Sequence, residues 1–81
     1  MKVKVLVFAH IKEIVGSEVI EMDLPDEPRG SEIISKLVDD YPDISPQKHS
    51  LMLSMNGEYI GWDDLLIANS EIAVLTPVSG G

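Results

Sequence analysis

The sequence contains no cysteine, and that absence removes three kinds of chemistry at once. Without thiols there is no disulfide, no thiolate metal centre and no cysteine nucleophile. Cations are scarce as well: 6 Lys and Arg stand against 14 Asp and Glu, for a formal net charge of −8. Nucleic-acid binding needs clustered cations to neutralise phosphates, so that class is set aside. The acidity suits a partner with a basic surface, and it equally suits simple solubility. No apolar run approaches the roughly 20 residues of a membrane-spanning helix. Met1-Lys2-Val3-Lys4 opens directly on an alternating segment and not on an apolar leader, so a cytoplasmic location is expected. Neither GxxxxGK[ST] nor GxGxxG occurs, so no nucleotide cradle is expected in this chain.

What is present points to one small domain. With 81 residues, 44% hydrophobic and 25% charged, the composition is that of an ordinary globular protein with a modest core. Residues 2–8 alternate, with Val3, Val5 and Val7 facing one way and Lys2, Lys4, Leu6 and Phe8 the other. A short helix is expected over 9–15, stopped by Gly16. Residues 18–24 alternate again, with Ile20, Met22 and Leu24 on one side, which suggests a hairpin-like pair joined by a wide loop.

After a turn-rich stretch at 25–30, Ile33, Ile34, Leu37, Val38 and Tyr41 share one face of the main helix. Gly30 or Ser31 is expected to cap it, and Pro42 to end it. Residues 42–50 read as a polar, proline-containing loop and 51–55 as a strand. Asn56-Gly57 signals a tight turn, with 58–60 as the return strand. Residues 63–67 suggest one helical turn, and 71–76 the last strand. The element order is ββαβββ with one main helix. The fold class is α+β, with residues 1–75 as the domain and 76–81 as an extended tail.

One helix covers one face of a sheet. Val3, Val5, Val7, Ile72 and Val74 are the expected core face. Leu6, Phe8 and Leu75 are then left uncovered on the other, where they cluster if the first and last strands are neighbours. An exposed apolar patch of this kind marks an interface.

The tail Thr76-Pro77-Val78-Ser79-Gly80-Gly81 leaves that last strand. Pro77 lacks a ladder donor and ends the strand. Six extended residues reach about 20 Å. Gly80 and Gly81 pass a narrow channel and let a reagent approach the backbone. The expected end is a free α-carboxylate on Gly81. A carboxylate is a poor electrophile and needs activation, for instance as an acyl-adenylate, by a separate ATP-binding protein. With no thiol elsewhere, Gly81 is the position at which this chain would carry sulfur.

The other chemistry-bearing residues form no constellation. His10 and His49 have no ligand spacing to each other or to carboxylates, so no metal site is expected. Asp39-Asp40 and Asp63-Asp64 read as solvated acidic surface. Trp62 reads as a half-buried anchor beside the turn. Ser79 has no base within sequence reach and is a poor nucleophile candidate.

The segments VKVLVFAHIKEIVG at 3–16, MNGEYI at 55–60 and EIAVLTPVSGG at 71–81 resemble the small, ubiquitin-like subunit of molybdopterin synthase. The likeness covers essentially the whole chain. Its most specific piece is the final PVSGG. The resemblance implies a β-grasp fold, a mixed sheet with one main helix on one face. It implies a sulfur carrier that catalyses nothing alone and binds no cofactor of its own. Gly81 would be adenylated with ATP by an E1-like adenylyltransferase and converted to a thiocarboxylate. The large synthase subunit would accept the tail, with Pro77, Val78 and Ser79 as the stem and Gly80 giving clearance. Sulfur would pass there to cyclic pyranopterin monophosphate. Leu6, Phe8 and Leu75 would dock the partners. Two positions depart from the family's usual pattern. Ala68-Asn69-Ser70 stands where Gly-Asp is frequent, and Thr76 where proline is frequent; neither touches the chemistry. Carriers for thiazole synthesis and ubiquitin-like protein modifiers share the same terminal chemistry. An interaction domain with an inert tail shares the fold without it.

Overall fold

A computed structural model describes residues 1–77. Strand β1 (Lys2–Val7) runs into helix α1 (Ala9–Val15), and β2 (Val19–Asp23) returns beside β1. Helix α2 (Gly30–Asp40) follows, then a 3-10 segment (Pro42–Ser50), β3 (Met52–Met55), β4 (Glu58–Ile60) and β5 (Ile72–Leu75). The sheet order is β2-β1-β5-β3-β4. The β1–β5 pair is parallel and the other pairs are antiparallel. The last strand therefore sits at the centre of the sheet, between the first and third.

Each break in the chain has a local cause. Gly16 ends α1 with φ 81°, and its N–H donates to the Lys12 carbonyl. Asn56 and Gly57 take φ 54° and 85° between β3 and β4. Two successive left-handed residues make the mirror-type turn that matches strand twist, as Asn-Gly predicts. Val3, Val5, Val7, Ile72 and Val74 are buried, as their alternation requires. They form one cluster with Ile33, Ile34 and Leu37 of α2. Each fully buried aliphatic side chain of this kind is worth about 2 kcal/mol.

Three local expectations are corrected. The α2 cap is Arg29, not Gly30 or Ser31. The Arg29 N–H donates to the Glu32 carboxylate at 3.0 Å, so the side chain three residues into the helix closes its first turn. Residues 42–50 are an organised 3-10 helix, not an open polar loop. Proline suits its start, and Ile44 is fully buried beneath it. Finally, 63–67 do not form a helical turn. The backbone there turns outward to serve α2: Gly30 N–H donates to the Asp64 carbonyl at 3.0 Å and Ser31 N–H to the Trp62 carbonyl at 2.7 Å. Leu65 forms an isolated antiparallel bridge with Arg29, and Leu66 is buried.

The same contact explains Gly30. A Cβ there would lie 2.6 Å from Leu53 Cδ1, 3.1 Å from the Gly61 carbonyl oxygen and 3.3 Å from Trp62 Cα. The helix start is pressed so close to the 61–64 segment that only hydrogen fits. Gly30→Ala gains helix propensity but overpacks this contact. We expect a net loss of about 2 kcal/mol in urea unfolding, and an unchanged or raised midpoint would refute the close packing.

Candidate functional site

The sheet has two apolar faces, and α2 covers one of them. On the other face the side chains opposite the core positions accumulate. β1 contributes Lys4 and Leu6, with Phe8 just beyond its end. β5 contributes Ala73 and Leu75. The register places Leu6 opposite Val19 on one side and Ala73 on the other. Met52 pairs with Leu75, and Ser54 lies between Ala73 and Tyr59. Continuing the Val7–Val74 register sets Phe8 beside Leu75.

Of the six exposed large apolar side chains among the described residues, four lie on this face, while Leu65 and Ile67 lie outside the strands. Phe8 is 46% exposed, Val19 40%, Met52 37% and Tyr59 70%, while Leu6 and Leu75 are half-buried. No helix among the described residues covers them. The three residues singled out from alternation are thus brought to one end of the face, Leu6 and Leu75 on adjacent strands and Phe8 just past the end of β1. Val19, Met52 and Tyr59 complete the face and were missed. The signal was present, because each alternates with a core-facing neighbour.

One end of the face is bounded by α1. Leu6, Val7, Phe8, Ala9, Lys12 and Glu18 line a shallow recess there. Lys12 Nζ donates to Glu18 Oε1 at 2.9 Å. This hydrogen bond, helped by the lysine charge, holds the Glu18 carboxyl below the usual glutamate range.

The tail exit lies at the same end. β5 ends at Leu75, Thr76 is half-buried and Pro77 is exposed. Val78, Ser79, Gly80 and Gly81 lie outside the described residues. The remaining candidates stay apart. His10 Nδ1 is 3.7 Å from Glu13 Oε2 on exposed surface, and among the described residues no group of three or more His, Asp or Glu could hold a metal ion. Asp63-Asp64 is not merely solvated surface. Asp64 Oδ2 accepts the Gly61 N–H at 2.7 Å, and the Asp63 carbonyl accepts from Arg29 Nη1. Trp62 is half-buried as expected, with its Nε1–H donating to the Leu51 carbonyl at 3.1 Å.

A mixed five-stranded sheet with one main helix and an apolar free face defines a ubiquitin-like β-grasp domain. Solved structures agree. A putative molybdopterin converting factor subunit 1 from Pyrococcus furiosus superposes with a TM-score of 0.84 at 24% identity, covering 96% of this chain and 99% of that one. The small archaeal modifier protein 1 from Methanosarcina acetivorans gives 0.79 at 28% identity, covering 99% and 96%. A complex of subunits 1 and 2 of the molybdopterin-converting factor from Helicobacter pylori gives 0.67 at 21% identity over all of both chains.

The ThiS family model matches residues 5–81, and the chain belongs to that family. The molybdopterin synthase sulfur carrier subunit of Dictyostelium discoideum is 46% identical, over 96% of this chain and 94% of that protein. Its counterpart in Caenorhabditis elegans is 32% identical over 100% and 99%.

The ion pair at the recess gives a direct check. Because the Glu18 pKa is depressed, the pair persists at neutral pH and is lost only as pH falls through that lowered value. In a carboxyl NMR titration Glu18 should have a midpoint below that of an unpaired glutamate. Lys12→Gln should move it upward, and an unmoved midpoint would refute the pairing.

Proposed function

We propose that this chain is the sulfur carrier subunit of a molybdopterin synthase. The observation that carries the reading is the uncovered apolar face around Leu6, Phe8 and Leu75, beside the point where the chain leaves β5. The names of its full-length relatives support it. The face docks a protein partner, and docking aims the six residues that follow. Thr76 and Pro77 begin the stem, Val78 and Ser79 extend it, and Gly80-Gly81 form the end that fits a narrow channel.

The proposed chemistry takes Gly81 as the sulfur-bearing residue. The Gly81 carboxylate attacks the α-phosphorus of ATP on an E1-like adenylyltransferase, and pyrophosphate leaves. A sulfide equivalent adds to the acyl carbon and displaces AMP, giving a thiocarboxylate. On the large synthase subunit the thiocarboxylate sulfur attacks a carbon of the pyranopterin precursor, and an oxygen substituent leaves that carbon. Water then cleaves the acyl carbon–sulfur bond and restores the Gly81 carboxylate. In this reading the partner proteins supply the general base and the nucleotide site for these steps. Its part is to carry one sulfur and deliver it, in the cytoplasm.

A second reading has a specific motive, the 28% identity to a small archaeal modifier protein. There the activated Gly81 would meet a lysine amine, and the product would be an isopeptide bond.

Two measurements test the proposal. Incubation with the E1-like enzyme, ATP and a sulfide source should replace one oxygen by sulfur in the intact mass, and Gly81 deletion should abolish the change. Higher-mass conjugates without a thiocarboxylate would favour the modifier reading. The face itself is tested by Phe8→Lys. We expect this change to weaken binding of the large subunit by about 2 kcal/mol, with stability altered by less than about 1 kcal/mol. Unfolding of the variant, or unchanged affinity, would contradict the assignment of the faces.

A further inference from the structure

The alternation that orders β5 leaves one error unguarded. A slip of one residue would exchange the faces, bringing Ala73 and Leu75 into the core and Ile72 and Val74 out of it. That error costs two fully buried β-branched side chains. A slip of two residues preserves the faces. It replaces one aliphatic core residue by Ser70 or Thr76 and keeps the other in place. Yet it moves the exit of the tail by about 7 Å along the strand. β5 has only four residues, so its ladders alone supply few bonds against this movement.

Asn56 makes the contact that distinguishes the registers. Its backbone N–H donates to the Glu71 carbonyl at 2.8 Å. Its Oδ1 accepts the Glu71 N–H at 2.9 Å. Its Nδ2 donates to Ser70 Oγ at 3.2 Å. The ladder between β3 and β5 ends at Met55–Ile72. Beyond it, Asn56 turns left-handed with φ 54°, and the Glu71 N–H goes to its side chain and not to its own carbonyl. The side-chain oxygen takes the place that carbonyl would have filled. One residue thus reverses the chain between β3 and β4 and grips both polar groups of Glu71, immediately before β5.

We propose that Asn56 is a positioning residue for sulfur transfer, setting the register of β5 and so the distance the tail can reach beyond the docking face. The transfer part rests on the sulfur-carrier reading; the register part stands without it. The grip lies at the opposite end of β5 from the tail, so it acts through the strand and touches no reacting atom.

Asn56→Gly is the informative variant, since glycine retains the left-handed turn and removes only the side chain. Asn56→Asp restores the Oδ1 acceptor without the Nδ2 donor. NMR reads the register directly. Asn56→Gly should weaken the cross-strand contacts of Met55–Ile72 and Leu53–Val74 and speed amide exchange across residues 71–75 beyond that of β1. Asn56→Asp should restore most of both. If Asn56→Gly keeps wild-type contacts and exchange, the register role is refuted.

Single-turnover transfer from preloaded carrier to saturating large subunit reads the consequence. In the folded variant the rate should fall at least about tenfold, as expected for a misplaced reacting group. The dissociation constant for the large subunit should stay within about threefold, because the docking face is intact. An unchanged rate, or a loss of rate matched by an equal loss of affinity, would overturn the positioning role. If the wild-type chain itself transfers no sulfur, the sulfur-carrier reading fails and the transfer role fails with it, while the NMR result still decides the register.

Discussion

The structure depends on one imbalance: a sheet with two apolar faces and a single long helix to cover them. α2 buries Ile33, Ile34 and Leu37 completely against Val3, Val5, Val7, Ile72 and Val74. Nothing among the described residues does the same for Leu6, Phe8, Val19, Met52 and Leu75. The strand twist and register that build the core build this second surface at no extra cost in chain length, because successive side chains point to opposite faces. Stability and the proposed recognition surface are therefore two faces of the same strands. A substitution at an odd position of β1 acts on the core, and one at an even position acts on the surface.

The connections serve the same end. The 3-10 segment places Ile44 under the helix. The 61–66 segment gives its carbonyls to the first amides of α2 and its Leu66 side chain to the core. These irregular stretches hold the helix on one side of the sheet. The tight approach at Gly30 marks where that constraint is strongest.

Much of this was legible in the chain because period-two alternation is an unambiguous signal. It assigned the core face of β1 and β5, while helical periodicity assigned the apolar face of α2 and the Asn-Gly dipeptide the turn at 56–57. It also isolated Leu6, Phe8 and Leu75 before any pairing was known. What it did not disclose depends on long-range contacts. Ile44 sits among polar neighbours and prolines, so no periodicity announces its burial. Residues 63–67 have a helix-compatible composition, but the start of α2 claims the Asp63 and Asp64 carbonyls, and tertiary hydrogen bonding overrides the local preference. Met52, Val19 and Tyr59 were readable in principle, yet their joining into one surface needed the strand order. The site's chemistry rested on different ground: Gly81 and the stem from Val78 onward lie outside the described residues.

The central place of β5 has a consequence for how the domain is made. Its parallel neighbour β1 lies some 67 residues earlier, as the Val5–Ile72 pairing shows. Contacts of such separation close late and slowly. While β5 is undocked, β1 and β3 are left as facing edges with a gap between them, and neither the core nor the free apolar face is complete. The proposed docking surface and the strand that leads into the tail come into being in the same event. If the free face docks the partner as proposed, recognition is coupled to the completion of folding, and a half-assembled domain has no finished surface with which to compete for the partner.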